Sequence, residues 1–543
     1  MKKADPADVR YIIFCAFALS LILAYLFPMI TDEAYYVDWA SRTNWPALGF
    51  FDHPPLVSWL ASGVRLVHHA LAARIVVWLC SVISIYFVWK TANILIKDRA
   101  NIAIAVLVSS IGAIAAGFIL TPDTGLMLMW SIALHQAVLA LRGDSKRWMT
   151  AGLATGIGIL SKYTMVLIGP VFLWALLRDG RRQLRSPWPY LGGLACLLVI
   201  TPHLFWQSQN DWITFKFQFG HGFSIEQNLK FESSLPRAKE AARGSPEFVA
   251  RDRLVAAMEN TPGFGETMQK PKPKKSKWEQ AWQYIGDYMG GVAGLWGAYS
   301  FALLIYLAKN GRQSRPTDRL PRVQGFAIIE AAAFFPIIFF GILSPFTKIE
   351  ANWPAMHMSA LAIWCARRTP IKSRTVLVAT LIHVVLLGLL GMILWFPNYF
   401  PGARNNRLLL ESKGYQTLGA WLNAMPSSGV IAVDSYQLKS AVGYYAPTKP
   451  VVQWPGITRG SEYTRGVHDD LETENMLIHQ TELTLISMDP TPRALPGFIA
   501  TDYRGVRICP DGVLGEFSVQ KPILPCAKGL REWWITIYRN QKP

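Results

Sequence analysis

The chain has 543 residues, of which 51% are apolar and only 17% charged, with 21 Trp. Soluble globular proteins are usually a little under half apolar, so this composition excludes a wholly soluble enzyme and points to a membrane. The formal net charge of +18 does not indicate nucleic acid, because Lys and Arg gather in short loops between apolar runs and not along one soluble face.

About 20 helical residues are needed to cross the roughly 30 Å of hydrocarbon in a bilayer. Apolar runs predict eleven helices, near 11–30, 72–96, 101–119, 124–141, 149–161, 163–177, 188–206, 284–308, 323–343, 354–367 and 374–396. The first follows Lys2, Lys3 and Arg10 and has no small-residue cleavage site, so it reads as a retained helix. The runs at 149–161 and 354–367 are short for a full crossing.

Loops between these runs alternate between basic and charge-poor. Lys97 and Arg99, Arg142 to Arg147, Arg178 to Arg185, 309–322 and 367–374 fall on the side of the N-terminus. The excess of positive charge places that side in the cytoplasm, so that in a bacterial inner membrane the other side would face the periplasm. The periplasm then receives 31–71, Thr121-Pro122-Asp123, Ser161-Lys162-Tyr163, 207–283, 344–353 and the C-terminal tail. Within the long loop, 232–277 is rich in Pro and Lys and reads as a mobile insertion near anionic headgroups.

The expected organisation is a polytopic α-helical module over 1–396 and a periplasmic α/β domain over 397–543, with strand-like pieces at 430–433, 484–486 and 534–538. Cys15, Cys80, Cys196 and Cys365 fall in apolar runs and suit packing. Cys509 and Cys526 lie in the polar tail, where an oxidising compartment permits a disulfide, and two free thiols are the alternative.

Candidate chemistry begins at the exit of the first helix, with Asp32-Glu33-Ala34-Tyr35-Tyr36. Such carboxylates either solvate a helix end or serve a site. Asp52-His53-Pro54-Pro55 follows, and its prolines present Asp52 and His53 on a constrained turn before the interfacial pattern of Leu56, Trp59, Leu60 and Val67. Asp123 sits in a short turn, as a helix cap or as a third functional carboxylate.

Together with Gly158-Ile-Leu-Ser161-Lys162-Tyr163 and Lys348-Ile-Glu350-Ala-Asn352-Trp353-Pro354, these motifs resemble the bacterial membrane glycosyltransferases of the GT-C fold. Those enzymes are similar to protein mannosyltransferases and include the aminoarabinose transferase of lipid A. The matches run in order over roughly the first 370 residues, and Asp434-Ser435-Tyr436-Gln437-Leu438 resembles a further, weaker motif. The resemblance implies a GT-C fold of about eleven transmembrane helices, a polyprenyl-phosphate-linked sugar such as an undecaprenyl-phosphate donor, and a periplasmic acceptor in lipid A or core, another glycan or a protein.

It further implies that Asp32 is the general base, with Asp123 a second catalytic carboxylate. A carboxylate at the membrane boundary gains basicity when partly desolvated. The leaving polyprenyl phosphate needs cations already in place. Lys162 leads, since an ammonium between two apolar helices is either functional or snorkelling to headgroups, and Lys348, Arg42 and Arg65 follow. Glu33, Tyr35, Tyr36, His53, Tyr163, Glu350, Asn352 and Trp353 are the expected substrate contacts. Trp353 suits either stacking on a sugar or the interfacial belt, and Asn352 and Pro354 also suit the start of the tenth helix.

Some members of the family hold a divalent metal at the positions of Asp52 and His221, and His203 is equally placed by sequence. His53 and the two prolines depart from the aminoarabinose branch, which has a basic residue there, so that branch's sugar specificity does not carry over. Two other readings compete with the enzyme: a transporter or flippase for lipid-linked sugars, and a non-catalytic scaffold that binds them. Transport requires charges at mid-bilayer, whereas the candidates here gather at one outer face.

Overall fold

The computed structural model describes residues 6–541 apart from 43–45, 66, 68, 224–234, 266–267, 269–274, 311–322, 370, 401–405, 426–428, 465–476 and 478–479. Two compact units result. One takes Met1–Phe27, Ala40–Gln227 and Lys275–Gly388, and the other Pro28–Trp39, Asn228–Lys274 and Leu389–Pro543.

The first unit is helical, and each of the apolar runs read from the sequence is helical over most of its length. Among the described residues, six stretches are long and apolar enough to cross a membrane: Val9–Leu26, Ala70–Val108, Pro122–Leu141, Trp188–Gln209, Phe326–Leu343 and Ser373–Trp395. The pair Lys277–Trp296 and Ala298–Tyr306 adds a seventh if its bend of 102° interrupts one span. The other runs form shorter helices, including Arg147–Ile159, Ile168–Asp179 and His357–Arg368.

Several boundaries differ from the expected ones, each for a local reason. The first helix ends at Leu26 and not at 30, because Pro28 has no N–H to continue the ladder, and a new helix starts at Thr31. The run at 284–308 breaks at Gly297, whose φ of 58° is left-handed. A side chain there would strike the His383 ring, whose Nε2 accepts from the Ala298 N–H at 2.8 Å. The tenth helix begins at His357, so Asn352, Trp353 and Pro354 lie in turns and do not open it.

Pro122–Leu141 is the central helix of this unit, packed against Ala70–Ile96 and Arg147–Ile159, with Trp130, Leu134, Ala137 and Val138 buried. Arg147–Ile159 in turn meets Trp188–Gln209 backbone to backbone. Any Cβ at Gly152 would overlap the Gly192 carbonyl, and one at Gly156 would crowd the Cys196 carbonyl. Two small residues four apart thus let the helices touch, as small residues do in bilayers.

The second unit is built on a mixed six-stranded sheet in the spatial order Val451–Gln453, Ile431–Val433, Glu482–Ser487, Arg531–Asn540, Phe498–Ile508, Leu514–Phe517. Ile431–Val433 pairs in parallel with both neighbours. The chain leaves it through helix Tyr436–Tyr445 to one side and returns later on the other, so the strand order reverses at this strand. Leu438 and Val442 of the helix pack with Val433, Ile486, Trp533 and Ile535.

The described part of the segment 232–277, expected as a mobile insertion, contains packed elements. Lys239–Glu240 pairs with Arg493–Ala494, and helix Pro246–Met258 buries Leu254 and Met258 against Tyr503, Phe517 and Trp534. These two residues, one helical turn apart, are a buried stripe that the Pro and Lys content conceals. Cys509 and Cys526 form a disulfide across a sequence separation of 17. Replacing both with Ser should lower stability by about 3 kcal/mol for a loop of that length, read as an earlier thermal midpoint of the detergent-solubilised chain.

Candidate active site

In the second unit, helix Thr31–Arg42 presents Asp32 in its first turn. Glu33 is buried and its carboxylate accepts from the Ile30 N–H at 3.2 Å, so it closes the helix start. Asp32 Oδ1 instead accepts from the Tyr436 hydroxyl at 3.1 Å. Tyr436 opens the helix that Ser435 caps by accepting from the Leu438 N–H. Tyr436, Lys439 and Ser440 share one face at helical spacing. Ser440 Oγ donates to the Thr31 carbonyl at 3.0 Å, and Lys439 pairs with Asp38 at 3.5 Å. Three contacts therefore fix Tyr436 against Asp32.

Aromatic rings surround this pair. Tyr35 is buried, with ring centroids 4.6 Å from Tyr436, 5.1 Å from Tyr463 and 4.6 Å from Trp39. Its hydroxyl accepts from the Glu462 N–H at 2.8 Å. Tyr36 packs on Trp39 at 5.2 Å. Lys439 Nζ lies 3.8 Å over Tyr463, and the Arg459 guanidinium 4.1 Å over Tyr436.

Burial pushes the Asp32 carboxyl up to about 6, and Glu411 adds to the rise, while the Tyr436 hydrogen bond, Arg459 and Arg407 pull it back. The result is a carboxylate that takes up a proton near neutral pH, as a general base must.

In the first unit, Asp123 lies in the first turn of Pro122–Leu141, where a carboxylate suits the positive end of the helix, and Thr121 and Thr124 form the capping box. Lys162 follows Arg147–Ile159, its N–H donating to the Gly158 carbonyl at 3.0 Å. Ser161 Oγ donates to the Pro122 carbonyl at 2.6 Å and ties the two turns together. Lys162 Nζ then reaches Asp123 Oδ1 at 2.8 Å, with both side chains 11% exposed. Asn352 Nδ2 donates to Asp123 Oδ2 at 2.7 Å.

Lys162 is therefore not the lone ammonium that the sequence suggested. Asp123 and Lys162 are one ion pair, and Asn352, expected as a substrate contact or at a helix start, bonds that carboxylate. An ammonium has three N–H donors, so this pairing holds Lys162 in place without exhausting it.

Lys348 and Glu350 bond one another at 2.9 Å at the surface, where such pairs contribute about 0–1 kcal/mol. Tyr163 stacks on Phe215 at 4.5 Å. His203 Nδ1 faces the Leu48 carbonyl and its Nε2 the Tyr163 hydroxyl, each at 2.7 Å. The Nδ1–H tautomer satisfies both, so His203 is held as a structural residue and offers no nitrogen to a metal. Trp353 packs edge-on to Phe340 at 5.8 Å. His53 Nδ1 is 3.3 Å from Gln218 Nε2, which also donates to the Asp52 carbonyl.

Asp52 is buried. The side chains of Arg42, Arg65 and His221 lie outside the described residues. Among the described residues no three His, Cys, Asp or Glu side chains converge as metal ligands. The expected pair of Asp52 and His221 lies in part outside the described residues.

Tyr436, Lys439, Arg459 and Asp38 did not emerge from the sequence as site residues. The one signal was the weak Asp434 to Leu438 motif, which contains Tyr436.

Comparison with known proteins adds three findings. Residues 52–206 match the family described as dolichyl-phosphate-mannose-protein mannosyltransferase. The lipopolysaccharide core galacturonosyltransferases RgtB and RgtA of Rhizobium johnstonii are 30% and 27% identical over 225 and 246 residues. Those segments cover 39% and 43% of this chain and 44% and 45% of the relatives, so the chain spans less than half the length of the curated relatives it matches. ArnT from Cupriavidus metallidurans, solved bound to undecaprenyl phosphate, superposes with a TM-score of 0.58 at 15% identity over 98% of both chains. At that identity the likeness is one of fold, and the fold is the expected GT-C fold.

Proposed function

We propose, for an integral membrane protein of the GT-C fold whose residues 52–206 match the family described as dolichyl-phosphate-mannose-protein mannosyltransferase, that it transfers a sugar from a polyprenyl-phosphate carrier to a cell-envelope acceptor. The carrier is undecaprenyl phosphate or a close homologue, and the acceptor the lipopolysaccharide core. The chain lies in the inner membrane with its second unit in the periplasm, an assignment that the Cys509–Cys526 disulfide supports. The transferred group is a hexosyl or pentosyl residue, and the galacturonosyl group of the curated relatives is a member of the first class.

In this reading the acceptor hydroxyl oxygen attacks the anomeric carbon. Its proton passes to Asp32, the bond from carbon to phosphate oxygen breaks, and the polyprenyl phosphate leaves with the electron pair. Attack from the side opposite the phosphate inverts the anomeric centre. Lys162, steadied by Asp123 and Asn352, stabilises the charge that develops on the phosphate. Glu33, Tyr35 and Tyr36 act by shaping the surroundings of Asp32.

The observation that carries this reading is the partly buried Asp32, raised to about 6 and hydrogen-bonded by Tyr436. A base must be ionised, so kcat/KM should rise with pH through about 6 and level off above it. Tyr436→Phe removes a hydrogen bond that favours the carboxylate, which moves the half-point to higher pH. The check is transfer in proteoliposomes containing a prenyl-phosphate sugar, followed across the acid limb for both proteins. A flat profile, or a half-point that Tyr436→Phe leaves in place, would count against Asp32 as the base.

A further inference from the structure

Where helix Lys277–Trp296 turns by 102° into Ala298–Tyr306, the helical unit contains a cavity of about 330 Å³. Its wall is hydrocarbon. Val292, Leu303 and Leu361 line it, and the polar atoms of three lining aromatic residues are bonded within the protein. Tyr288 Oη donates to the Ile337 carbonyl at 2.6 Å, Trp296 Nε1 to His357 Nε2 at 2.8 Å, and Tyr299 Oη bonds Ser109 Oγ at 2.7 Å. An apolar space of this kind stays free of water and takes up hydrocarbon. Met289 and Leu304 on its edge are exposed, so the cavity opens at the surface of the bent helix pair.

One end of the cavity is basic. Thr369, Ile371 and Thr375 line it there, from the connection between helices His357–Arg368 and Ser373–Trp395. That connection is held in place: Arg99 donates to the Thr369 carbonyl at 3.0 Å and to the Ile371 carbonyl, and Tyr306 Oη donates to the Arg368 carbonyl at 2.9 Å. Arg368 pairs with Glu330 at 2.8 Å, and Arg367 lies 4.5 Å over the Phe326 ring. Lys372 and Arg374 are exposed and form no ion pair among the described residues.

We propose that the cavity holds an acyl chain of an anionic phospholipid from the leaflet on the side of the N-terminus, and that Lys372 and Arg374 bind its phosphate. A long apolar space that ends at two cations between membrane helices matches that lipid in both of its parts. The occupant is a phospholipid and not the prenyl-phosphate carrier. Helix His357–Arg368, 12 residues or about 18 Å long, follows Asn352, which bonds Asp123 beside Lys162, and ends at the basic connection. The cations of the cavity therefore lie at the far end of that helix from the ammonium assigned to the carrier phosphate. This binding goes beyond the transferase reading and requires no turnover.

The full chain, freed of lipid in neutral detergent, is titrated with phosphatidylglycerol, with phosphatidylethanolamine of the same acyl chains, and with undecaprenyl phosphate, and native mass spectrometry counts the bound lipid. The proteins are wild type, the double variant Lys372→Gln with Arg374→Gln, the cavity-filling Ala302→Phe, and a control, Arg182→Gln with Arg185→Gln, which removes two exposed charges from the same side of the membrane. The expected result is one phosphatidylglycerol retained by the wild type in preference to phosphatidylethanolamine. Its affinity should fall about 10- to 30-fold in the Lys372 and Arg374 variant, from two cations near a lipid headgroup, and less than about 2-fold in the control. Ala302→Phe should weaken retention of the same lipid. If that variant does not fold, the exposed charge variants decide the matter.

Equal retention of the two phospholipids, or equal losses in the charge variant and the control, would overturn the proposal. Displacement of phosphatidylglycerol by equimolar undecaprenyl phosphate would assign the cavity to the carrier's tail and overturn it as well. No retention by the wild type would mean that the chain itself covers the cavity. None of these results bears on transfer, which the acid limb above tests separately.

Discussion

Asp32→Asn is expected to fold, to bind donor, and to lose about 10²- to 10⁴-fold in kcat, the range general bases contribute. The same change should not destabilise the protein. Asp32 binds its proton more tightly in the folded chain, near 6, than at the ordinary value of 3.8. Its contribution to stability is therefore most favourable below about 4 and declines as pH rises through 6, above which the penalty is constant. Asparagine removes that penalty while still accepting from Tyr436, and at neutral pH it should gain about 1 to 2 kcal/mol after allowance for partial exposure. A site residue whose loss abolishes turnover and raises the melting midpoint is difficult to explain as structural.

The second large effect is expected at the pair of Lys162 and Asp123. Lys162→Met leaves a buried carboxylate with Asn352 as its remaining side-chain partner among the described residues, which should cost about 3–5 kcal/mol of stability as well as transfer. The double variant Lys162→Met with Asp123→Asn contains no buried charge at the two positions and should recover most of that stability. Its activity should stay low, because the leaving phosphate still lacks its cation. Thermal midpoints and single-turnover rates on the four proteins of the cycle separate the two roles. Recovery of rate together with stability would make the pair a purely structural tie.

What the sequence reveals follows from how local each feature is. The apolar runs locate the helices because a bilayer demands length, and they miss the break at Gly297 because hydropathy is blind to a left-handed glycine held by His383 from a distant helix. Asp32 and Lys162 stand out because charge at the end of an apolar helix is costly and therefore conspicuous. The bond from Lys162 to Asp123, and that from Asn352 to the same carboxylate, joins positions far apart in the chain, and no local pattern announces it. Tyr436 is harder still. Its contact with Asp32 depends on the mutual register of two helices whose sequence separation is 404 residues. Within the second unit, the stripe of Leu254 and Met258 is hidden by the prolines and lysines around it.

The most direct test of the central claim compares lipid extracts and envelope glycans, by mass spectrometry, from cells with the wild-type chain and cells with Asp32→Asn at equal expression. The account predicts that one prenyl-phosphate sugar accumulates in the variant while one glycan loses the same residue, which names donor and acceptor together. Unchanged lipids and glycans in cells that contain only the variant would contradict Asp32 as the base.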